Sequence, residues 1–107
     1  MEITISLSSL AMKAKTQYIT EYDDSITELF MQFLNVKIQK IKNTILQAQA
    51  VPDKIILKYF GLAETIQILI GKNSITPEGI ELTKQIKKYC TELFTQENNL
   101  HFSMYYI

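Results

Sequence analysis

The sequence predicts a mainly α fold, four to five helices in a compact bundle, with short N- and C-terminal strands able to pair. Three observations predict it. Thr27, Phe30, Leu34, Ile38, Ile41, Ile45 and Ala48 step by three and four along one continuous seam. Two strong helix starts stand at Ser25 and at Thr76-Pro77-Glu78, and the residues at both ends of the chain alternate at the period of a strand.

Length and composition set the frame. The 107 residues form one domain, 1–107, and 47% are apolar. A chain of this size buries enough surface for a core of its own. With Gly 3 and Pro 2 there is little material for long loops. Eleven basic residues balance eleven acidic ones, so no net field steers the chain toward nucleic acid or an anionic membrane. Every basic residue apart from the single histidine is lysine, which removes the planar fork that reads guanine and clamps phosphate. Abundant Lys, Ile, Asn and Tyr without Arg or Trp fit an AT-rich genome, of a low-GC bacterium or its phage among others.

Taken in order, Glu2-Ile3-Thr4-Ile5-Ser6-Leu7 alternates as a half-buried strand. From about Ser9, Leu10, Ala11, Ala14, Tyr18 and Ile19 fall at helical spacing, and this helix is expected to end near Glu21. Ser25 with Glu28 three residues on is a capping box, the hydroxyl and carboxylate each accepting an otherwise unpaired backbone N–H. The long helix it opens spans about 35 Å. A second apolar face at Ile26, Leu29, Phe33 and Val36 predicts burial on both sides of its first half, and Lys37, Lys40 and Lys42 predict exposure of its second.

Pro52 is expected to stop that helix and Pro52-Asp53 to start a third, with Ile55, Ile56, Tyr59 and Phe60 on its apolar side. Two short helices are expected to meet near Gly61. A last helix runs from Pro77 to about Thr95, with Leu82, Ile86, Tyr89, Cys90 and Leu93 inward and Glu81, Lys84, Lys88 and Glu92 outward. Leu100 to Met104 alternates again, in an aromatic tail ending Tyr105-Tyr106-Ile107.

Chemistry-bearing residues are sparse. Cys90 and His101 could make a nucleophile and base, but no third orienting residue accompanies them, and Cys90 falls on the inner helix face. Asp23 with Asp24 and Glu78 with Glu81 stand in first helical turns, where capping explains them without a metal. Gly71-Lys72-Asn73-Ser74 lacks the glycine spacing of a phosphate loop. No catalytic, cofactor or metal site is expected. The N-terminus lacks a positively charged start, and Ile55 to Ile70, interrupted by Lys58, Glu64 and Gln67, is too polar to span a bilayer. Together with one cysteine, these features predict a cytoplasmic protein.

The stretch Leu57-Lys58-Tyr59-Phe60-Gly61-Leu62-Ala63-Glu64-Thr65-Ile66 resembles the turn of helix-turn-helix regulators, and Ser74-Ile75-Thr76-Pro77-Glu78-Gly79 is similar to the junction before a winged-helix helix. The resemblance implies a DNA-binding regulator. It departs at Gln67, where an anchor is expected to be apolar, and in the absence of cations between Gly61 and Lys72. The leading expectation is instead a non-enzymatic protein-interaction module, an adaptor, inhibitor or immunity-type factor that self-associates as a homodimer. Its expected interface is Ile26, Leu29, Phe33 and Val36 with Phe102, Met104, Tyr105 and Tyr106, because these exceed what one small core absorbs.

Overall fold

A computed structural model describes residues 1–18, 23–47, 54–94 and 101–107. The chain runs β1 (Glu2–Ser6), α1 (Leu7–Gln17), α2 (Asp23–Leu46), β2 (Lys54–Phe60), α3 (Leu62–Ile70), α4 (Pro77–Phe94) and β3 (His101–Tyr106). The strands form one parallel sheet in the order β1-β2-β3. The architecture is therefore an α/β mixture, not a helical bundle with strands at its ends.

The correction turns on β2. The segment expected to begin a third helix is an extended strand, and it lies between the two terminal strands, which do not pair with each other. Ile3 stands opposite Leu57 and Ile5 opposite Tyr59, while Leu57 stands opposite Met104 and Tyr59 opposite Tyr106. Lys-Ile-Ile-Leu-Lys-Tyr-Phe is a short run dense in β-branched and aromatic residues, and such a run fits a central strand as well as a buried helix. Pairing on both edges settles it, because a central strand satisfies its backbone groups from two neighbours. The two helices expected to meet at Gly61 are a strand and a helix.

Parallel neighbours need a crossover, and each crossover here contains two helices among the described residues. Both crossovers step the same way along the sheet, so crossovers of one hand place their helices on one face. Burial agrees. Ile5, Ile55, Leu57 and Tyr59 are fully buried, and Ile3, Phe102, Met104 and Tyr106 pack on the same core. The alternate residues Thr4, Ile56, Lys58, Phe60, Ser103 and Tyr105 form the outer face, where Lys58 pairs with Glu2. The smallest extent, 19 Å, is that of two layers.

The α2 seam buries Phe30, Leu34, Ile38 and Ile45, with Ile41 partly covered. α1 ends at Gln17, with Tyr18 extended at φ -79 and ψ 119, four residues short of the end expected near Glu21. The α2 helix begins at Asp23, so Ser25 stands inside its first turn and not at the expected cap. The expected ends of α2 at Ala48 and Pro52 and of α4 at Thr95 lie outside the described residues, as does the Ser25 side chain. Leu100, where the C-terminal alternation was expected to begin, also lies outside them. Lys42, expected on an exposed surface, is buried, its Nζ 5.7 Å from the Phe94 ring centroid. Lys37 and Lys40 are exposed. On α4, Leu82, Ile86, Cys90 and Phe94 face inward, and Tyr89 and Leu93 are partly buried against them.

Two tight corners join strands to helices. Ser6 ends β1 and caps α1, its Oγ accepting from the Ser9 N–H at 3.3 Å. Gly61 joins β2 to α3 at φ 77, a conformation that L side chains avoid. A Cβ there would lie 2.6 Å from Ser8 Oγ and 2.9 Å from Ser8 Cβ, so the close approach of α1 to this corner also requires glycine.

Candidate functional site

The carboxyl ends of parallel strands are where open α/β sheets generally hold ligands. Here they surround a cleft of about 870 Å³ lined by Ser8, Gly61, Thr83, Lys84, Lys87, Tyr106 and others. Gly61 has no side chain to cap α3, and the first residues of that helix, Leu62, Ala63 and Glu64, line the cleft. The Lys87 Nζ lies 5.0 Å from the Tyr106 ring centroid. The cleft combines cationic, hydroxyl and apolar groups with the carboxylate of Glu64, and exposed Ile80 and Ile107 also line it.

Below Tyr106 the structure assembles a polar group inside the core. Tyr59 and Tyr106 both bury their hydroxyls with no hydrogen-bond partner, and the Cys90 thiol is the polar neighbour acting on both. A thiol is a weak donor and acceptor and does not replace a hydrogen bond. Burial pushes Cys90 up to about 11, and burial first, then Cys90, raises both phenols above the ordinary tyrosine value. A thiol held protonated in this way is a poor nucleophile. Cys90 is buried on α4, whereas His101 begins β3 as an exposed residue, so the sequence pair is split between two environments. No group of three potential metal ligands occurs among the described residues. Glu78 is held below the usual carboxylate range, first by its own backbone N–H and then by Lys72, 3.2 Å away.

The eight residues expected at an interface divide. Ile26, Leu29 and Phe33 are partly buried against the core, and Lys13 Nζ lies 4.5 Å from the Phe33 ring centroid. Val36 is 52% exposed on the far side of α2. Phe102, Met104 and Tyr106 turn toward the helices and Tyr105, 53% exposed, toward the outer face. The structure brings these last four together on one strand at the sheet edge.

That edge has a defined hydrogen-bonding phase. The Ile107 N–H donates to the Tyr59 carbonyl at 2.7 Å, and the Ile107 carbonyl accepts from the Gly61 N–H at 3.1 Å. Backbone groups alternate sides along a strand, so those of Phe102, Met104 and Tyr106 point away from β2. No described strand pairs with that side. Natural edges commonly carry lysine or proline, and β3 carries neither.

The helix-turn-helix resemblance loses its geometry, since Leu57 to Phe60 are strand and only Leu62 onward is helix. The sequence at Ser74 to Gly79 is a turn leading into α4, with no hairpin beside it among the described residues. No described helix is long and apolar enough to cross a membrane. No family model matches the chain, and no curated protein matches it significantly.

Proposed function

We propose that this chain is a non-enzymatic, cytoplasmic protein-interaction module that self-associates through the edge of β3. The observation that carries the reading is an edge strand, unpaired on its outer side among the described residues, whose outward N–H and C=O groups belong to Phe102, Met104 and Tyr106. Such an edge is a template for another strand. A second copy of β3 suits it because a two-fold axis at Met104 pairs the strand antiparallel with itself. Phe102 then faces the partner's Tyr106 twice, Met104 faces Met104, and Ser103 faces Tyr105 on the outer side. Aromatic cross-strand pairs of this kind add stability, and the strand brings no carboxylate or lysine to repel its copy. The resulting six-stranded sheet would bring the two outer faces into one continuous surface.

Sedimentation or light scattering at high micromolar concentration tests the reading. A dimer is expected for the native chain and a monomer of unchanged helicity for S103K/Y105K, in which like charges face each other twice across the axis. A native monomer, or a variant that stays dimeric, overturns it.

A further inference from the structure

We propose that the groove between the N-terminal halves of α2 and α4 docks a basic amphipathic helix from a partner protein. The groove is an open depression of about 900 Å³ lined by residues of α2, α4 and the end of α3, with none from β3 among the described residues. Met31 on α2, Leu82 on α4 and Ile70 at the end of α3 form an apolar floor. Leu82 is 6% exposed and the other two are partly buried, so the floor is continuous with the core.

Carboxylates stand on both walls. Glu28 rises from α2, and Glu78 and Glu81 rise from α4. Lys72 engages Glu78, whereas Glu28 and Glu81 make no ion pair among the described residues. The α4 wall, from Glu78 through Glu81 and Leu82 to Gln85, covers two helical turns, about 10 Å along the axis. A guest helix of two or more turns therefore finds an apolar strip for residues at i, i+3 or i+4, and i+7, with negative charge on each flank. Charge complementarity fixes the guest's chemistry: Leu, Ile or Met along one stripe, Lys or Arg on both sides of it. The same carboxylates repel a nucleic-acid backbone, so the occupant is a polypeptide. This surface is separate from β3, and the proposal stands whether or not the chain dimerises.

Fluorescence anisotropy with the full chain and a labelled helical peptide, leucine at helix spacing and lysine elsewhere, tests it against the same peptide with glutamate in place of lysine. The lysine peptide is expected to bind with micromolar affinity and the glutamate peptide not to bind. E28Q/E81Q is expected to weaken the lysine peptide by about tenfold or more, with an unchanged melting temperature, while E64Q on the far cleft leaves binding as it was. Equal affinity for the two peptides, indifference to E28Q/E81Q, or an equal loss in E64Q overturns the proposal. So does loss of self-association in E28Q/E81Q, which would make a second copy the occupant.

Discussion

Tyr59 and Tyr106 stand opposite each other on β2 and β3 and stack with ring centroids 4.9 Å apart and planes 12° from parallel. The stack gives up a great deal of polar solvation. Both hydroxyls are enclosed without a hydrogen-bond partner, and an unpaired buried hydroxyl costs more than a paired one returns. Tyr59→Phe keeps the ring and removes the penalty, so it is expected to stabilise the fold by about 1 kcal/mol in urea unfolding. A loss of stability instead would show that the Tyr59 hydroxyl holds a strong bond.

The same cluster sets an alkaline limit. Cys90 is raised to about 11 by burial, against an ordinary value of 9.0. The folded state therefore holds its proton more tightly than the unfolded chain. Stability from this group is complete below about pH 9 and is lost as pH rises through about 11. Tyr59 and Tyr106, also raised by burial first, extend the loss above their ordinary value of 10.0. Melting temperature should fall progressively above about pH 9. Cys90→Ala should be less stable at neutral pH but should show a shallower fall between about pH 9 and 10. Parallel curves for the two proteins would remove Cys90 from this account.

Gly61 and Gly71 have similar backbones, at φ 77 and 66, in different surroundings. A Cβ at Gly71 meets nothing within 4 Å, while one at Gly61 collides with Ser8. Gly71→Ala is expected to cost about 1 kcal/mol from conformational strain alone. Gly61→Ala adds the displacement of α1 and is expected to cost about 3 kcal/mol or more. Denaturant midpoints of the two variants check the order, and equal losses would show that Ser8 moves aside freely.

The terminal strands and the start of α4 are legible in the residues, and the sheet that joins those strands is not. Alternation at Glu2 to Leu7 and near the C-terminus marks β1 and β3, and Thr76-Pro77-Glu78 marks the start of α4 to the residue. β2 is illegible because its outer face carries Ile56 and Phe60 beside Lys58, so the alternation of a one-sided strand is blurred. Read as a helix, it hides the parallel sheet, and with it the cleft at the strand ends and the Tyr59, Cys90 and Tyr106 cluster, which join residues far apart in sequence. Gly61 carried a usable signal: a glycine directly after a β-branched and aromatic run punctuates a strand as readily as a helix.

The α2 helix tests how burial sorts its apolar residues. Phe30 is fully buried in the core and Val36 is 52% exposed, though both belong to the apolar content of one helix half. Phe30→Ala is expected to cost about 3–5 kcal/mol through the lost transfer energy and the cavity left behind. Val36→Ala is expected to change stability by less than about 0.5 kcal/mol. Chemical denaturation measures both, and a large loss at Val36 would place that residue in a contact the single chain does not make.

Thr76 carries the turn before α4 on several hydrogen bonds at once. Its Oγ1 accepts from the Gly79 N–H at 3.1 Å and donates to the Asn73 carbonyl at 2.7 Å. The Asn73 side chain in turn accepts from the Ile75 N–H at 3.1 Å, so the loop and the helix end are one connected unit. Thr76→Ala leaves the Gly79 N–H without its cap and is expected to cost about 1–2 kcal/mol. Thr76→Ser keeps the oxygen and should stay within about 0.5 kcal/mol of the native chain. Thr76→Val keeps the shape without the oxygen and separates packing from bonding: it should match the alanine variant if the cap is what matters. Thermal unfolding of the three variants decides the point, since a valine variant as stable as the serine variant would show that the methyl group, not the hydroxyl, holds the start of α4.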